Sequence, residues 1–131
     1  MTDTDEPRRR SPFVDLLGLR FTSVRDGLSE CMLEVNDRLM NPNRVLHGGI
    51  VYSMADTGMG AALHSLLDEG QVCATIEIKI VYLKAVTSGI LTCETKVLSK
   101  EEDIAVMESD VRNGSHLVAR ALGTFSIFKR I

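Results

Sequence analysis

The sequence predicts an α+β fold in which a curved antiparallel sheet wraps one long central helix. Three observations carry this. Residues 41–67, NPNRVLHGGIVYSMADTGMGAALHSLL, open as a polar loop, turn at His47-Gly48-Gly49, then run apolar for about five helical turns. Segments with a period of two surround that run, two before it and four after. Tight-turn signals, not further helices, join the last four segments, which excludes a βαβ alternation.

Each element has its own signal. Residues 1–12 are polar and charged, with Arg8, Arg9 and Arg10 in a row, and read as a flexible tail before a single domain over 13–131. Residues 13–17 form a short helix behind Ser11-Pro12, a start signal. Residues 19–25 alternate weakly, and Asp26-Gly27 marks a tight turn. Residues 28–36 place Cys31, Leu33 and Val35 on one side and Glu30, Met32 and Glu34 on the other, completing a hairpin.

After the long helix, Asp68-Glu69-Gly70 ends the run, with Gly70 expected as the C-terminal cap. Residues 75–84 are the clearest strand: Ile76, Ile78, Ile80 and Tyr82 point one way, Thr75, Glu77 and Lys79 the other. Thr87-Ser88-Gly89 is a turn. Residues 90–98 put Leu91, Cys93, Thr95 and Val97 on one face, and residues 104–112 form another strand. Asn113-Gly114 is the strongest two-residue hairpin signal in the chain. The last strand, 116–128, shows Leu117, Ala119, Ala121, Phe125 and Ile127 on one face. One helix cannot bury so broad a sheet, so a second copy that covers or extends it is expected.

Bulk composition narrows the function. The chain has 131 residues, 44% hydrophobic and 25% charged, ordinary for one soluble globular domain. A net charge of −3 gives no basic footprint for nucleic acid. Cys31, Cys73 and Cys93 are scattered, without metal-ligand spacing or a disulfide framework, and fit a reducing, cytoplasmic setting. The N-terminal stretch lacks the apolar region of a signal peptide. The helix carries Asp56, His64 and several glycines, so it reads as a core helix and not a membrane span. No motif calls for a cofactor or a metal; His64 and His116 have no partner at ligand spacing. Met54 and Met59 read as core.

Asp56 is the anomaly. An ionised carboxylate set into an apolar helix is costly unless paired, hydrogen-bonded or used. It could be a structural acid bonded to a strand hydroxyl. His47 could only set the turn, Gly48 and Gly49 could be a tight turn, and Thr75 could be an ordinary strand residue.

Asn41, six residues before His47-Gly48-Gly49, and Asp56, nine residues after the histidine, together resemble the motif of the hotdog-fold acyl-CoA thioesterases. More narrowly they are similar to the phenylacetate-pathway (PaaI-type) branch. Ala55-Asp56-Thr57-Gly58 resembles the small-residue surroundings of the acid in that family, and the strand order from about Phe13 onward also fits. Fold alone would not imply function, so the motif residues carry the weight. The resemblance implies that the Gly48 N–H, at a helix N-terminus, donates to the oxyanion. Gly49 would serve close packing or share that role. Asp56 would be general base or nucleophile. It implies further that Asp56 faces the donor of a second subunit across a dimer interface, and that a dimer of dimers forms. Asn41 and His47 would order the loop and the attacking water or thioester. Thr75 matches a hydroxyl position near the acid. The family often has glycine where this chain has Arg44, which could reach a coenzyme A phosphate.

The expected ligand is an acyl-CoA, small aromatic or short to medium chain. Lys84, Lys96, Lys100, Arg112 and Arg120 join Arg44 as candidates for its phosphates. A non-catalytic acyl-CoA binding or sensing module is the alternative, and a hotdog dehydratase or hydratase a third reading. His47 followed at once by two glycines, with the acid inside the helix, favours hydrolysis.

Overall fold

The structure of the protein, a computed structural model, describes residues 11–131. Of the expected tail, residues 1–10 lie outside the described residues, while Ser11 caps the first helix and Pro12 opens it. The elements are α1 (Pro12–Leu17), β1 (Arg20–Arg25), β2 (Leu28–Glu34), a 3-10 turn (Asp37–Leu39), α2 (Gly48–His64), β3 (Gln71–Tyr82), β4 (Ile90–Lys100), β5 (Ile104–Asn113) and β6 (His116–Lys129). The six strands form one antiparallel sheet in the order β1-β2-β4-β5-β6-β3. This is the expected α+β arrangement.

Local chemistry explains the boundaries. Ser11 caps α1 by accepting from the Val14 N–H, and Pro12 sits where a missing N–H costs nothing. Asp26 and Gly27 both take positive φ, the two-residue turn their sequence predicts. Gly70 does not cap α2. The helix closes at Ser65, and Gly70, with φ +85°, makes the later turn into β3. The β5–β6 hairpin is also shifted by one: Asn113 pairs with His116, so Gly114 and Ser115 are its central residues.

Two bulges change which side chains face the helix. In β3, Thr75 pairs with Phe125 and Glu77 with Thr124, leaving Ile76 as the extra residue. Strict alternation puts Thr75 opposite Ile78, Ile80 and Tyr82; the bulge brings it onto their face, and Ile76 is 57% exposed. In β6, Val118 is the extra residue between the partners of Val111 and Arg112. Val118 is therefore buried where Leu117 was expected, and Leu117 lies on the other face with Arg112.

The sheet covers one side of α2. Met54, Ala55, Met59, Ala62 and Leu63 are fully buried against it. Met54 joins Leu33, Leu91 and Val111 in one cluster; Met59 and Leu63 join Met107 and Phe125 in another. Beneath the helix lies a polar seam. Ser29 Oγ donates to the Gly58 carbonyl at 2.7 Å, and the buried hydroxyls of Thr95 and Ser109 share a 2.6 Å hydrogen bond. Cys31 and Cys93 are free, buried and directly opposite each other in the β2–β4 register. Their hydrogen bond and burial push the Cys31 thiol well up, which keeps it protonated. The other side of α2, with Ser53, Asp56, Thr57, Gly60 and His64, is only half-buried, so one chain does not enclose its helix. Among the described residues no helix is long and apolar enough to cross a membrane.

Candidate active site

The loop before α2 is built by Asn41. Its Oδ1 accepts from the Asn43 N–H at 2.8 Å and the Val45 N–H at 3.3 Å. Its backbone N–H donates to Val45 O at 2.8 Å. This small fold places Arg44 at φ +63°, the left-handed region that favours glycine, with its side chain exposed. The loop delivers the chain to His47, whose extended backbone caps α2. His47 Nδ1 accepts from the Gly49 N–H at 2.8 Å, so the ring's proton resides on Nε2.

Gly48 is the first residue of the helix. Its N–H has no hydrogen-bond partner among the described residues, as expected for an orphan donor at a helix start. It points from the positive end of the helix dipole. The Gly48 carbonyl accepts from the Tyr82 hydroxyl at 2.7 Å. Gly48, Gly49, Tyr82 and Lys84 line one cavity of about 480 Å³, floored by Leu46, Val51 and Val118. A donor, a cation and an apolar floor thus meet in one place.

Asp56 is half-buried on the open side of α2. Its Oδ1 accepts from Thr75 Oγ1 at 2.6 Å, a short charge-assisted bond. Asp56 follows Gly48 by eight residues, which puts it about 12 Å further along the helix axis. Within one chain the Gly48 N–H and the Asp56 carboxylate therefore cannot meet on one carbonyl group.

Sequence and structure comparisons place this chain in a family. Residues 43–119 match the Thioesterase superfamily. The chain belongs to that superfamily. Its fold is the hotdog fold, and the protein is a thioester hydrolase. The proofreading thioesterase EntH of Klebsiella pneumoniae subsp. pneumoniae is 30% identical over 82 residues, 63% of this chain and 60% of that protein. The solved structure of thioesterase HI1161 from Haemophilus influenzae superposes with a TM-score of 0.90 at 25% identity, covering 98% of this chain and 91% of that one. Conserved protein PA5202 from Pseudomonas aeruginosa superposes with a TM-score of 0.90 at 35% identity, covering 93% of this chain and 98% of that one.

In this thioesterase the candidate residues fall into two groups along α2. His47, Gly48, Gly49 and Lys84 gather at its start, with Asn41 in the loop that leads there; Asp56 and Thr75 meet two turns later. Three of the candidate phosphate ligands are engaged elsewhere, on the outer face of the sheet. Lys96 lies 3.7 Å from Glu108, Arg112 lies 3.5 Å from Asp110, and Arg120 lies 2.8 Å from Asp110. Tyr82, expected only to share a strand face with Ile76, Ile78 and Ile80, touches the helix start. Partial burial, then the neighbouring Tyr52, push its phenol up, so it remains a hydrogen-bond donor. The sequence pattern runs this strand on to Lys84 and so does not single Tyr82 out; in the structure β3 ends at Tyr82, whose polar tip reaches past the sheet.

Proposed function

We propose that this thioesterase hydrolyses acyl-CoA thioesters, with a small aromatic or short to medium acyl group, to the free acid and coenzyme A. The observation that carries the reading is the Gly48 N–H at a helix start, unpartnered among the described residues, on a glycine that lines one cavity with Lys84. A thioester carbonyl oxygen fits that donor, and developing negative charge strengthens the interaction in the transition state. Lys84 at the rim supplies a cation for a coenzyme A phosphate, with Arg44 on the exposed loop as a second. The Asn41, His47-Gly48-Gly49 and Asp56 pattern supports the phenylacetate-pathway branch.

Asp56 takes a proton from water as the water oxygen attacks the carbonyl carbon. The oxyanion collapses, the C–S bond breaks, and the thiolate recovers the proton. In the covalent variant the carboxylate itself attacks and the C–S bond breaks to expel the coenzyme A thiolate; water then cleaves the anhydride to the free acid and Asp56, and its proton passes to the thiolate. Thr75 holds one carboxylate oxygen so that the other faces the reaction.

The site is completed by a second copy. The 12 Å separation along α2 supports this. So does the long edge strand β3, whose Ile76, Val81 and Tyr82 are about half-exposed. A dimer pairing through this region would set Asp56 of one protomer near Gly48 of its partner, and two such dimers would give a tetramer. Three cysteines, none in a disulfide among the described residues, suit a cytoplasmic setting.

The test is free-thiol release from phenylacetyl-, benzoyl-, hydroxybenzoyl- and straight-chain acyl-CoAs. Rapid release with one class supports the reading and names the acyl group. No release from any, with acyl-CoA still bound tightly, would replace it with a binding or sensing module.

A further inference from the structure

The peptide group joining Gly48 to Gly49 is gripped from both sides. Its carbonyl accepts from the Tyr82 hydroxyl at 2.7 Å, and its N–H donates to His47 Nδ1 at 2.8 Å. In a trans peptide these two groups point in opposite directions, so the two partners oppose each other across one plane. That grip matters because two consecutive glycines hold no conformation of their own. The first turn of a helix also frays readily. The Gly48 N–H lies in the preceding peptide plane, and the clamped plane constrains its direction through the φ and ψ of Gly48 between them.

Tyr82 comes from the end of β3, not from α2, so its bond ties the helix start to the sheet. Its ring stands against the glycine: a Cβ at Gly48 would lie 3.2 Å from the ring. Yet Tyr82 is 50% exposed, which leaves it a small share of the core. Its hydroxyl is the part with a definite task.

Resting on the acyl-CoA reading above, we infer that Tyr82 and His47 are positioning residues that clamp the 48–49 peptide and aim the Gly48 N–H at the thioester oxygen. Neither residue needs to touch the reacting atoms. Tyr82 supplies the donor, His47 the acceptor, and Gly48 is left with its own N–H available.

The experiment is steady-state hydrolysis by full-length Tyr82→Phe, using whichever panel acyl-CoA the wild type cleaves fastest. Loss of one hydrogen bond that acts only through alignment lowers kcat about tenfold. KM stays within about twofold, because ground-state binding is untouched. A folded Y82F with wild-type kcat, or with only KM changed, overturns the inference. His47→Ala and the double variant complete a cycle. Two residues holding one peptide are non-additive, so the double variant loses clearly less than the product of the single losses. A full product overturns the clamp.

If the wild type cleaves no acyl-CoA, the substrate reading fails and the clamp is judged by amide hydrogen exchange. In the wild type the Gly49 N–H exchanges at least about tenfold more slowly than the Gly48 N–H, and Y82F removes much of that protection. Equal rates for the two wild-type amides overturn the clamp, whether or not Y82F folds.

Discussion

Thr75 Oγ1 stands 2.6 Å from Asp56 Oδ1 because Ile76 drops out of the β3–β6 register. Without that bulge the hydroxyl would face away from α2. The contact predicts an order of effects. Asp56→Asn keeps the shape and removes the charge, and should lower kcat by about a hundredfold or more, with little change in acyl-CoA affinity. Thr75→Ala removes one bond to the carboxylate and should cost about tenfold. Thiol-release kinetics of the two variants check this. Unchanged turnover in D56N would take Asp56 out of the mechanism, and an equal loss in T75A would put the hydroxyl on the same footing as the acid.

The helix, its His-Gly-Gly start and the anomalous acid were legible in the sequence because each has a local cause. A long apolar run, a glycine pair at its start and the cost of burying a carboxylate need no knowledge of partners. The faces of β4 were legible for the same reason: Leu91, Cys93 and Thr95 alternate without interruption and all three are buried. What stayed hidden depends on pairing across the sheet. One extra residue at Ile76 or Val118 swaps the faces of everything beyond it, and alternation alone does not mark where a partner strand skips. Tyr82 stayed hidden because its partner, the Gly48 carbonyl, is 34 residues away in sequence.

The two glycines flanking Met59 should respond oppositely to the same substitution. A Cβ at Gly58 would lie 2.8 Å from Thr95 Oγ1, and Thr95 is pinned by its 2.6 Å bond to Ser109. Overpacking there outweighs the helix propensity gained, so Gly58→Ala should lose about 1–2 kcal/mol. A Cβ at Gly60 meets only Phe125 Cε2 at 3.8 Å, an ordinary contact. Gly60→Ala should therefore gain up to about 1 kcal/mol from propensity and a stiffer unfolded chain. Thermal unfolding of both variants reads the signs: Tm falls for the first and rises for the second. A rise in G58A would mean that the helix can lift off the polar seam at little cost.

Asp110 links stability to pH. The hydrogen bond from Arg120 holds its carboxyl below the usual range, with Arg112 and Lys96 adding to the effect. A carboxylate depressed in the folded state stabilises the fold above its unfolded pKa, about 3.9, and the contribution is lost as pH falls through the lowered folded value. Asp110→Asn should therefore lower Tm at neutral pH. The loss stays below about 1 kcal/mol, because the ion pair lies at the surface. The gap between variant and wild type should close in acid below that window and shrink in high salt. Unfolding curves across pH check it; a gap that persists in strong acid would assign the effect to packing instead of charge.

The separation of Gly48 and Asp56 along α2 yields a test of whether two copies share one site. Gly48→Pro deletes the N–H in question with little backbone conflict. Proline is favoured at the first helical position, and His47, at φ −61° and ψ 132°, already has the extended backbone that precedes proline. The half-exposed Tyr82 ring can shift to admit the added carbons. G48P and D56N should each be nearly inactive. Unfolded and refolded together, they form mixed dimers in which one site pairs the intact Gly48 of the D56N chain with the intact Asp56 of the G48P chain. Equal mixing makes half the dimers mixed, each with one good site, so about a quarter of wild-type activity should return. A site contained in one chain would recover nothing. Recovery thus reports directly that the donor and the carboxylate serving one thioester come from different protomers.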